Sequence, residues 1–405
     1  MQKALFSRLE SLYPELVEFR RDLHMHPEVS FEEVRTPQLI ADYHRALGLE
    51  VRTGVGGRGV VSTLRGGQPG RTVALRADFD ALPIHDEKDV PYKSTIPGVM
   101  HACGHDIHTA GLLGVAKVLS EVKDQLRGNV VFIHQFAEEV SPGGALPMIQ
   151  DGCLDGVDVI YGAHVQSPLE QGVVGTVVGP AMATADTIGI EIRGKGGHGA
   201  EPHKTVDPIV IASHLILALQ HIAARQTDPL DSVVVTIGSI HGGSASNVIP
   251  ESVRLAGTVR TFKQEVQEST KESIERLVEQ VCSAFGAEGT LTYEHGYPTV
   301  VNHPFETDLV TEVAREVVGP ENLVDMVPMM GGEDFAYSLQ KVPGTFFFVG
   351  GRNEELKAVY PHHHPRFDVD ERSMLVTGRI FIGTVLKELG QGDAVSPSEG
   401  VLEAV

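Results

Sequence analysis

The chain contains five short apolar runs of the kind that form buried β-strands, separated by segments with helical or loop character. They are nearly continuous, as strands covered on both faces should be, and occupy residues 60–64, 72–76, 130–136, 157–162 and 345–349. A helical run at 109–119 lies between two of them, and apolar residues recur at helical spacing over 9–23. This alternation indicates an α/β domain whose sheet is mostly parallel, with helices on both faces.

The pattern changes between residues 182 and 294. There the sequence predicts, in order, a strand, a helix, two strands, a helix and a strand, at 186–192, 207–225, 232–241, 252–262, 264–285 and 290–294. This βαββαβ order is the ferredoxin-like unit. We therefore predict a discontinuous catalytic domain, 1–181 and 295–390, interrupted by an inserted domain at 182–294. The remaining residues, 391–405, are small, polar and aperiodic, which predicts a disordered tail.

Polar side chains follow three of the strand-like stretches. Cys103 and His105 form a Cys-x-His step, the run at 130–136 leads directly into Glu138 and Glu139, and His164 follows another apolar run. The carboxyl ends of strands are where sites assemble in α/β sheets. Thiolate, imidazole and carboxylate ligands can hold a divalent ion while a neighbouring carboxylate accepts a proton, as metal-assisted hydrolysis requires.

Each of these residues also has an ordinary structural interpretation. A lone Glu-Glu pair is usually solvated, a lone histidine is usually a satisfied polar group, and Cys103 could be a small buried thiol. The triplet His362, His363 and His364 before Pro365 could be a solvent-facing loop. Their common position after strand-like runs favours the site over these alternatives.

Eight short motifs extend the pattern over nearly the whole chain. They are Arg-Arg-Asp-Leu-His-Met-His-Pro at 20–27, Arg-Ala-Asp-Phe-Asp-Ala-Leu-Pro at 76–83, Met-His-Ala-Cys-Gly-His-Asp at 100–106, Phe-Ala-Glu-Glu at 136–139, Gly-Gly-His-Gly-Ala-Glu-Pro-His at 196–203, Asn-Val-Ile-Pro at 247–250, Met-Gly-Gly-Glu-Asp-Phe at 330–335 and His-His-Pro-Arg-Phe at 363–367. In content and order they resemble the M20 metallohydrolases. The resemblance is to the branch of N-acyl-amino-acid amidohydrolases that includes hippurate hydrolases, aminoacylases and auxin-conjugate hydrolases.

The resemblance implies a site for two divalent metal ions, with zinc or manganese expected and cobalt or nickel allowed. Its ligands would be Cys103, His105, Glu139, His164 and His363. His363 is selected over its two neighbours because the family's ligand stands two positions before the proline. Glu138 would be the general base, which takes a proton from water and delivers it to the leaving nitrogen. The residues alone leave open the reverse register, in which Glu138 is the ligand and Glu139 lies behind it.

The remaining site predictions concern residues around the ligands. Asp78 is expected to orient a ligand imidazole through its other ring nitrogen, although it could equally cap a turn, and Asp80 is expected to have only a local role. The glycine-rich loop at 194–199 lacks the Gly-Lys-Ser/Thr ending of a phosphate-binding loop. The resemblance instead implies that His198, in this loop, donates a hydrogen bond to the acyl oxygen of the substrate and reaches in from a partner subunit. Asn247 and Arg260 match positions that hold the far end of the substrate, where arginine suits a free carboxylate; they could instead be ordinary strand-surface residues.

Composition narrows the class of partner and the compartment. The formal net charge of −21 argues against a nucleic-acid or anionic-membrane partner, since both would require a basic face. Three cysteines without disulfide-like spacing, and a start without the pattern of a secretory signal, predict a cytoplasmic protein. The sequence offers no uninterrupted apolar stretch of about 20 residues, the length of a membrane span.

Two classes of function are compatible with these observations. The favoured one is a metal-dependent amidohydrolase of N-acyl amino acids or similar small conjugates, with a dipeptidase or carboxypeptidase-like activity as its alternative. The other is a metal- or ligand-binding module without turnover, which would have no need of a carboxylate beside a ligand or of a glycine-hinged histidine. The resemblance further implies a homodimer or homotetramer joined through the inserted domain, which would also act as a lid.

Overall fold

The computed structural model describes residues 1–390, so the tail predicted at 391–405 lies outside the described part of the chain. The α-helices of the described residues are α1 Gln2–Ser11, α2 Tyr13–Met25, α3 Arg35–Ala46, α4 His105–Ser120, α5 Ala145–Gln150, α6 Pro208–His221, α7 Gln264–Ala284, α8 Pro304–Val318, α9 Ala336–Leu339 and α10 Ser373–Glu388. The strands are β1 Glu50–Val55, β2 Gly59–Arg65, β3 Gln68–Asp78, β4 Arg127–Gln135, β5 Val159–Glu170, β6 Val174–Thr176, β7 Gly179–Met182, β8 Asp186–Arg193, β9 Gly197–His198, β10 Val233–Gly242, β11 Val248–Ile249, β12 Ser252–Thr261, β13 Glu288–Glu294, β14 Val300–Asn302, β15 Leu323–Asp325 and β16 Gly344–Arg352.

The chain divides into two units. Unit 1 comprises Met1–Gly179, Asn302–Met326 and the described chain from Tyr337 onward, and unit 2 comprises Pro180–Val301 and Val327–Ala336. The segment Val327–Ala336, which the sequence placed in the catalytic domain, groups with unit 2. The reason is local pairing, because Met329 forms a bridge with Met182 and its carbonyl accepts the amide of Ala183.

Unit 1 is built on an eight-stranded sheet, which confirms the predicted α/β class. Its strand order is β1-β2-β4-β3-β5-β16-β6-β15. The central strands β4, β3, β5 and β16 run parallel, whereas β1, β2 and β4 pair antiparallel, as do β16 and β6. Strands β6 and β15 also run parallel, so four of the seven pairings are parallel and the sheet is mostly parallel, as predicted. The antiparallel pairings have local causes. One cause is the tight turn at 56–58 between β1 and β2, because only antiparallel strands can be joined so closely.

The core of unit 1 lies between this sheet and its helices. Helices α4 and α10 contact strands of the sheet and each other, and α1 and α2 pack on α4. Leu9 and Leu16 enter this core, together with Phe132 of β4 and Phe347 of β16. The sequence predicted one helix over 9–23, but the structure has two, because Pro14 lacks an amide donor and favours the first turn of a new helix.

Unit 2 contains a four-stranded antiparallel sheet and two long helices. The strand order is β10-β12-β8-β13, and α6 and α7 connect its strands in the βαββαβ sequence that the chain predicted. Ile190 and Leu255 from the sheet pack with Leu215 of α6 and Ile274 of α7. Among the described residues, one helical stretch, Pro208–Gln226, has the length and apolar composition of a membrane span. Core helices of soluble proteins can share this length and composition, and this one buries Ile211, Leu215 and Leu219 in unit 2.

Candidate metal centre

A glycine turn at the start of α4 sets the directions of Cys103 and His105. Gly104 has φ +100°, a left-handed conformation that side chains with a Cβ rarely adopt. A Cβ at this position would lie 2.4 Å from Cγ1 of Val165, the residue after His164. The chain can therefore bring Cys103, His105 and β5 this close only because residue 104 is glycine.

The imidazole of His105 is held from one side and open on the other. Its Nδ1 donates to the backbone carbonyl of Asp80 at 3.0 Å and lies 3.1 Å from that residue's Oδ1. Its Nε2 is buried and has no hydrogen-bond partner. The free nitrogen thus faces Cys103, His164 and Glu139, whose donor atoms group around it.

In the structure, Asp80 rather than Asp78 lies beside Nδ1 of His105, contrary to the contact predicted for Asp78. Asp78 Oδ1 lies 2.6 Å from Nδ1 of His108, and Asp78 Oδ2 lies 3.7 Å from Nε2 of His105, the side opposite the orienting nitrogen. His108 is fixed in turn because its Nε2 accepts the amide of Val165 at 2.9 Å. Asp78 therefore orients a histidine that is not among the predicted ligands, while Asp80 also accepts the amide of Glu139 at 3.0 Å.

The two adjacent glutamates leave β4 through a strained turn. Ala137 has φ +52°, in the left-handed region that a non-glycine residue avoids. Glu138 is buried, and its carboxylate lies with the carboxylate of Glu139 and the imidazole of His105 in one group of donor atoms. Oε1 of Glu139 lies 3.9 Å from Nε2 of His105 and 3.3 Å from Nε2 of His363, yet it makes no hydrogen bond.

His164 and His363 approach the same point from other elements. His164 lies within β5 rather than after it, and its Nδ1 donates to the carbonyl of Val165 at 2.7 Å, which leaves Nε2 3.4 Å from Sγ of Cys103. The amide of His363, whose φ is +63°, donates to the carbonyl of Ala102 at 2.8 Å. Its neighbour His362 instead accepts the amide of Ser167 through Nε2.

The five predicted ligands thus come together as two sets of three donors that share one sulfur. The sets are Cys103 with His105 and His164, and Cys103 with Glu139 and His363, each with donor atoms within 4.8 Å of one another. A further set, Asp78 with His105 and His108, is explained by its hydrogen bonds. Sulfur, imidazole and carboxylate donors in this number suit transition-metal ions such as zinc.

The electrostatics of the centre also fit bound cations. Burial lowers the pKa of His105, but the nearby charges of Asp78, Asp80 and Glu139 outweigh it and raise the pKa to about 10. Burial and the charges of Glu139, Glu138 and Asp78 raise the pKa of the Cys103 thiol well above its ordinary value. The centre therefore has a strongly negative potential, which divalent cations would neutralise while favouring the thiolate. Together with the unpartnered atoms of His105 and Glu139, this fits the residues to two divalent metal ions.

Three predicted site residues lie in unit 2. His198 is exposed on β9 and pairs with Val248 of β11, so it is close to Asn247, whose carbonyl accepts the amide of Gly199 at 2.8 Å. Arg260 on β12 is half-buried, and burial lowers the pKa of its guanidinium. Its hydrogen bond to the carbonyl of Thr184 is long, at 3.4 Å. His198 and Asn247 are thus brought together within this unit.

Comparison with known proteins gives a consistent family assignment. Residues 74–387 match the family model of peptidase family M20/M25/M40. An N-acyl-L-amino acid amidohydrolase of Geobacillus stearothermophilus is 44% identical over 304 residues, covering 75% of this chain and 82% of that protein. Thermostable carboxypeptidase 1 of Saccharolobus solfataricus is 44% identical over 359 residues, covering 88% of this chain and 91% of that protein.

A solved structure agrees in both fold and sequence. It is the crystal structure of a Bacillus subtilis protein described as a dinuclear metal-binding peptidase of the M20 family. The superposition has a TM-score of 0.82 at 33% identity and covers 94% of this chain and 99% of the other.

Proposed function

This chain belongs to peptidase family M20/M25/M40, and we propose that it hydrolyses the amide bond of N-acyl amino acids, releasing a carboxylic acid and a free amino acid. The observation that carries the proposal is the two sets of donors sharing Cys103, with Glu138 beside them. The Geobacillus stearothermophilus relative acts, by its name, on N-acyl-L-amino acids. A binding module would have no use for a buried carboxylate next to its ligands.

Glu138 is the general base in this proposal. Two divalent ions held by Cys103, His105, Glu139, His164 and His363 would supply a Lewis acid that polarises the amide carbonyl and acidifies water. Glu138 takes a proton from the attacking water and passes it to the nitrogen of the leaving amino acid. Glu139 is less suited to this task, because its Oε1 already lies between the imidazoles of His105 and His363. Asp80 keeps His105 in the tautomer that presents Nε2 to the centre.

Unit 2 supplies the groups for the rest of the substrate. Arg260 is the partner for the carboxylate of the amino acid, since a guanidinium binds a carboxylate through two hydrogen bonds and its burial strengthens the pairing. Asn247 adds an amide donor. His198 donates to the acyl oxygen, where negative charge develops in the transition state.

The shared sulfur and imidazoles make zinc the first candidate for the metal, and the carboxylate also accommodates manganese, with cobalt and nickel as further candidates. Metal analysis of the purified protein, followed by reconstitution of the chelated protein with each ion, identifies the ion that restores turnover.

Carboxypeptidase activity is the second candidate function, because the Saccharolobus solfataricus relative carries that name. Both activities cleave an amide whose nitrogen belongs to an amino acid with a free carboxylate, so they differ only in the acyl side. Comparing kcat/KM for an N-acetyl amino acid and for a peptide ending in the same residue separates them. A higher value for the peptide would favour the carboxypeptidase.

The central test compares two variants of the adjacent glutamates. Glu138→Gln should keep its metal and lose nearly all turnover, because an amide cannot accept the proton, whereas Glu139→Gln should lose metal. Metal content and released amino acid are measured on the same samples, over a panel of N-acyl amino acids. If Glu138→Gln loses metal and Glu139→Gln keeps it, base and ligand are exchanged.

We also propose a cytoplasmic homodimer or homotetramer, joined through unit 2, with small-molecule substrates. Strand β10 is an edge of the unit 2 sheet, and Ile240 on it is exposed, as are Leu217 and Leu230. In this assembly His198 of the partner subunit completes each site. Mixing inactive His198→Ala and inactive Glu138→Gln subunits should then restore activity in verified mixed dimers, whereas no recovery would mean that the site is not shared.

A further inference from the structure

The loop between α2 and α3 lies against the turn that carries Glu138 and Glu139. Glu33 Oε1 accepts the amide of Ala137 at 3.0 Å. Ser30 Oγ donates to Asp80 Oδ2 at 2.7 Å, and that same oxygen accepts the amide of Glu139. One loop, far from the ligands in sequence, is therefore linked to both ends of the turn from Ala137 to Glu139.

The backbone of this turn needs such support. Ala137 is a fully buried, non-glycine residue in the left-handed conformation. Backbone of this kind persists only where surrounding contacts determine it. The contacts are specific at Ala137, because its carbonyl accepts the amide of Gly144 at 3.2 Å and its amide goes to Glu33. Removing the Glu33 carboxyl would leave a buried amide unpaired and allow the turn, with Glu138 one residue beyond, to relax.

Glu33 is itself held in place. Its side chain is buried, and Arg58 donates to its backbone carbonyl while the Arg58 Nε lies 3.8 Å from Oε2. The carboxylate of Glu28 accepts the amides of residues 34–36, which fixes the loop just after Glu33. The ring of Phe31 packs edge-on against Phe136, with centroids 5.8 Å apart. The acceptor oxygen is thus supplied by a rigid loop, not by a mobile surface side chain.

We propose that Glu33 is a positioning residue for the reaction: by holding the amide of Ala137, it fixes the direction in which Glu138 presents its carboxylate. The inference rests on the proposed role of Glu138 as general base. Glu33 does not touch the substrate, and it acts through the backbone of the turn.

The test compares two substitutions of similar size. Glu33→Met removes the acceptor but fills the space, whereas Glu33→Gln keeps an acceptor oxygen for the Ala137 amide. We expect Glu33→Met to lower kcat by about 10- to 100-fold with KM and bound metal unchanged, since small displacements of a catalytic group can cost about 100-fold. Glu33→Gln should stay within a few-fold of the wild type. Rates are expressed per folded, metal-loaded subunit.

Hydrogen exchange gives a readout that does not depend on turnover. The peptide containing Ala137 should exchange faster in Glu33→Met than in the wild type, and Glu33→Gln should restore the protection. Unchanged exchange in Glu33→Met, an unchanged kcat, or a Glu33→Gln variant as slow as Glu33→Met would each overturn the proposal. If the wild type cleaves no N-acyl amino acid, the proposed function fails by itself, and the exchange measurement still decides whether Glu33 holds the turn.

Discussion

Replacing Gly104 with alanine should separate two effects that the structure combines at one residue. The added Cβ would lie 2.4 Å from Cγ1 of Val165, and the backbone would have to keep φ +100°. The left-handed conformation costs a non-glycine residue about 1–2 kcal/mol, and overpacking of a closed site costs about 1–3 kcal/mol. The expected loss in the free energy of unfolding is therefore about 2–5 kcal/mol.

The assay is urea unfolding of the metal-free protein, so that lost metal binding does not enter the result. The chain has no tryptophan, and unfolding is therefore followed by circular dichroism. Gly98→Ala is the matched control, because Gly98 has φ +80° but no atom within 4 Å of its added Cβ. That variant should lose only the backbone part, about 1–2 kcal/mol.

A double variant isolates the steric part. Val165→Ala removes the clashing methyl groups, so combining it with Gly104→Ala should recover about 1–3 kcal/mol relative to the sum of the single variants. If the losses in the free energy of unfolding from Gly104→Ala and Val165→Ala simply add in the double variant, the close approach of the α4 turn to β5 is refuted. A Gly104→Ala variant as stable as Gly98→Ala would refute it as well.

Three further outcomes follow from contacts around the centre. Asp80→Ala keeps the backbone carbonyl that faces His105 but removes the carboxylate that lies beside its Nδ1 and accepts the amide of Glu139. Metal affinity, measured by competition with a chelator, should therefore weaken by about 10- to 100-fold; an unchanged affinity would leave the Asp80 carboxylate without this role. Alkylation of Cys103, followed by mass spectrometry, should be faster in the metal-free protein than in the metal-loaded protein. In the metal-free protein the alkylation rate should keep increasing at pH values above the ordinary thiol pKa, because the pKa of this thiol is raised. Equal rates with and without metal would argue against coordination by Cys103. Burial, followed by the charge of Asp80, raises the pKa of Glu33 from 4.5 to about 7. The folded metal-free protein therefore holds the proton of the Glu33 carboxyl more tightly than the unfolded chain does. The free energy of unfolding should fall by about 3 kcal/mol as the pH rises from 4.5 to about 7 and should then level off. The Glu33→Gln variant should lack this fall in urea unfolding, and an identical pH dependence in both proteins would contradict it.

The grouping of the proposed ligands could be predicted because it depends on local patterns. Cys103 and His105 lie two residues apart around a glycine, and Glu138 and Glu139 follow directly on an apolar strand, so chain order alone places them near the sheet edge. The motif spacing also singled out His363 within the histidine triplet, and in the structure this is the histidine that lies beside Glu139.

The supporting residues were harder to predict. Asp78 ends β3 and Asp80 follows two positions later, and the sequence could not tell which would reach Nδ1 of His105, because that depends on how the chain leaves β3. Glu33 offered no signal, since a glutamate next to another glutamate in a loop is usually solvated. Its partner, the amide of Ala137, is a backbone group that no motif can display.

The position of β16 in the sheet has a consequence for biosynthesis. This strand lies between β5 and β6, which follow each other closely in the chain, yet it is made almost two hundred residues after β5 begins. While the ribosome is still translating the middle of the chain, β5 therefore has an open edge, and open edges invite pairing with other chains. His363 emerges later still, so the donor set of Cys103, Glu139 and His363 is incomplete on a partial chain. Binding of a metal ion by that set would then be a late step of maturation, and nascent chains released early would lack the complete proposed centre.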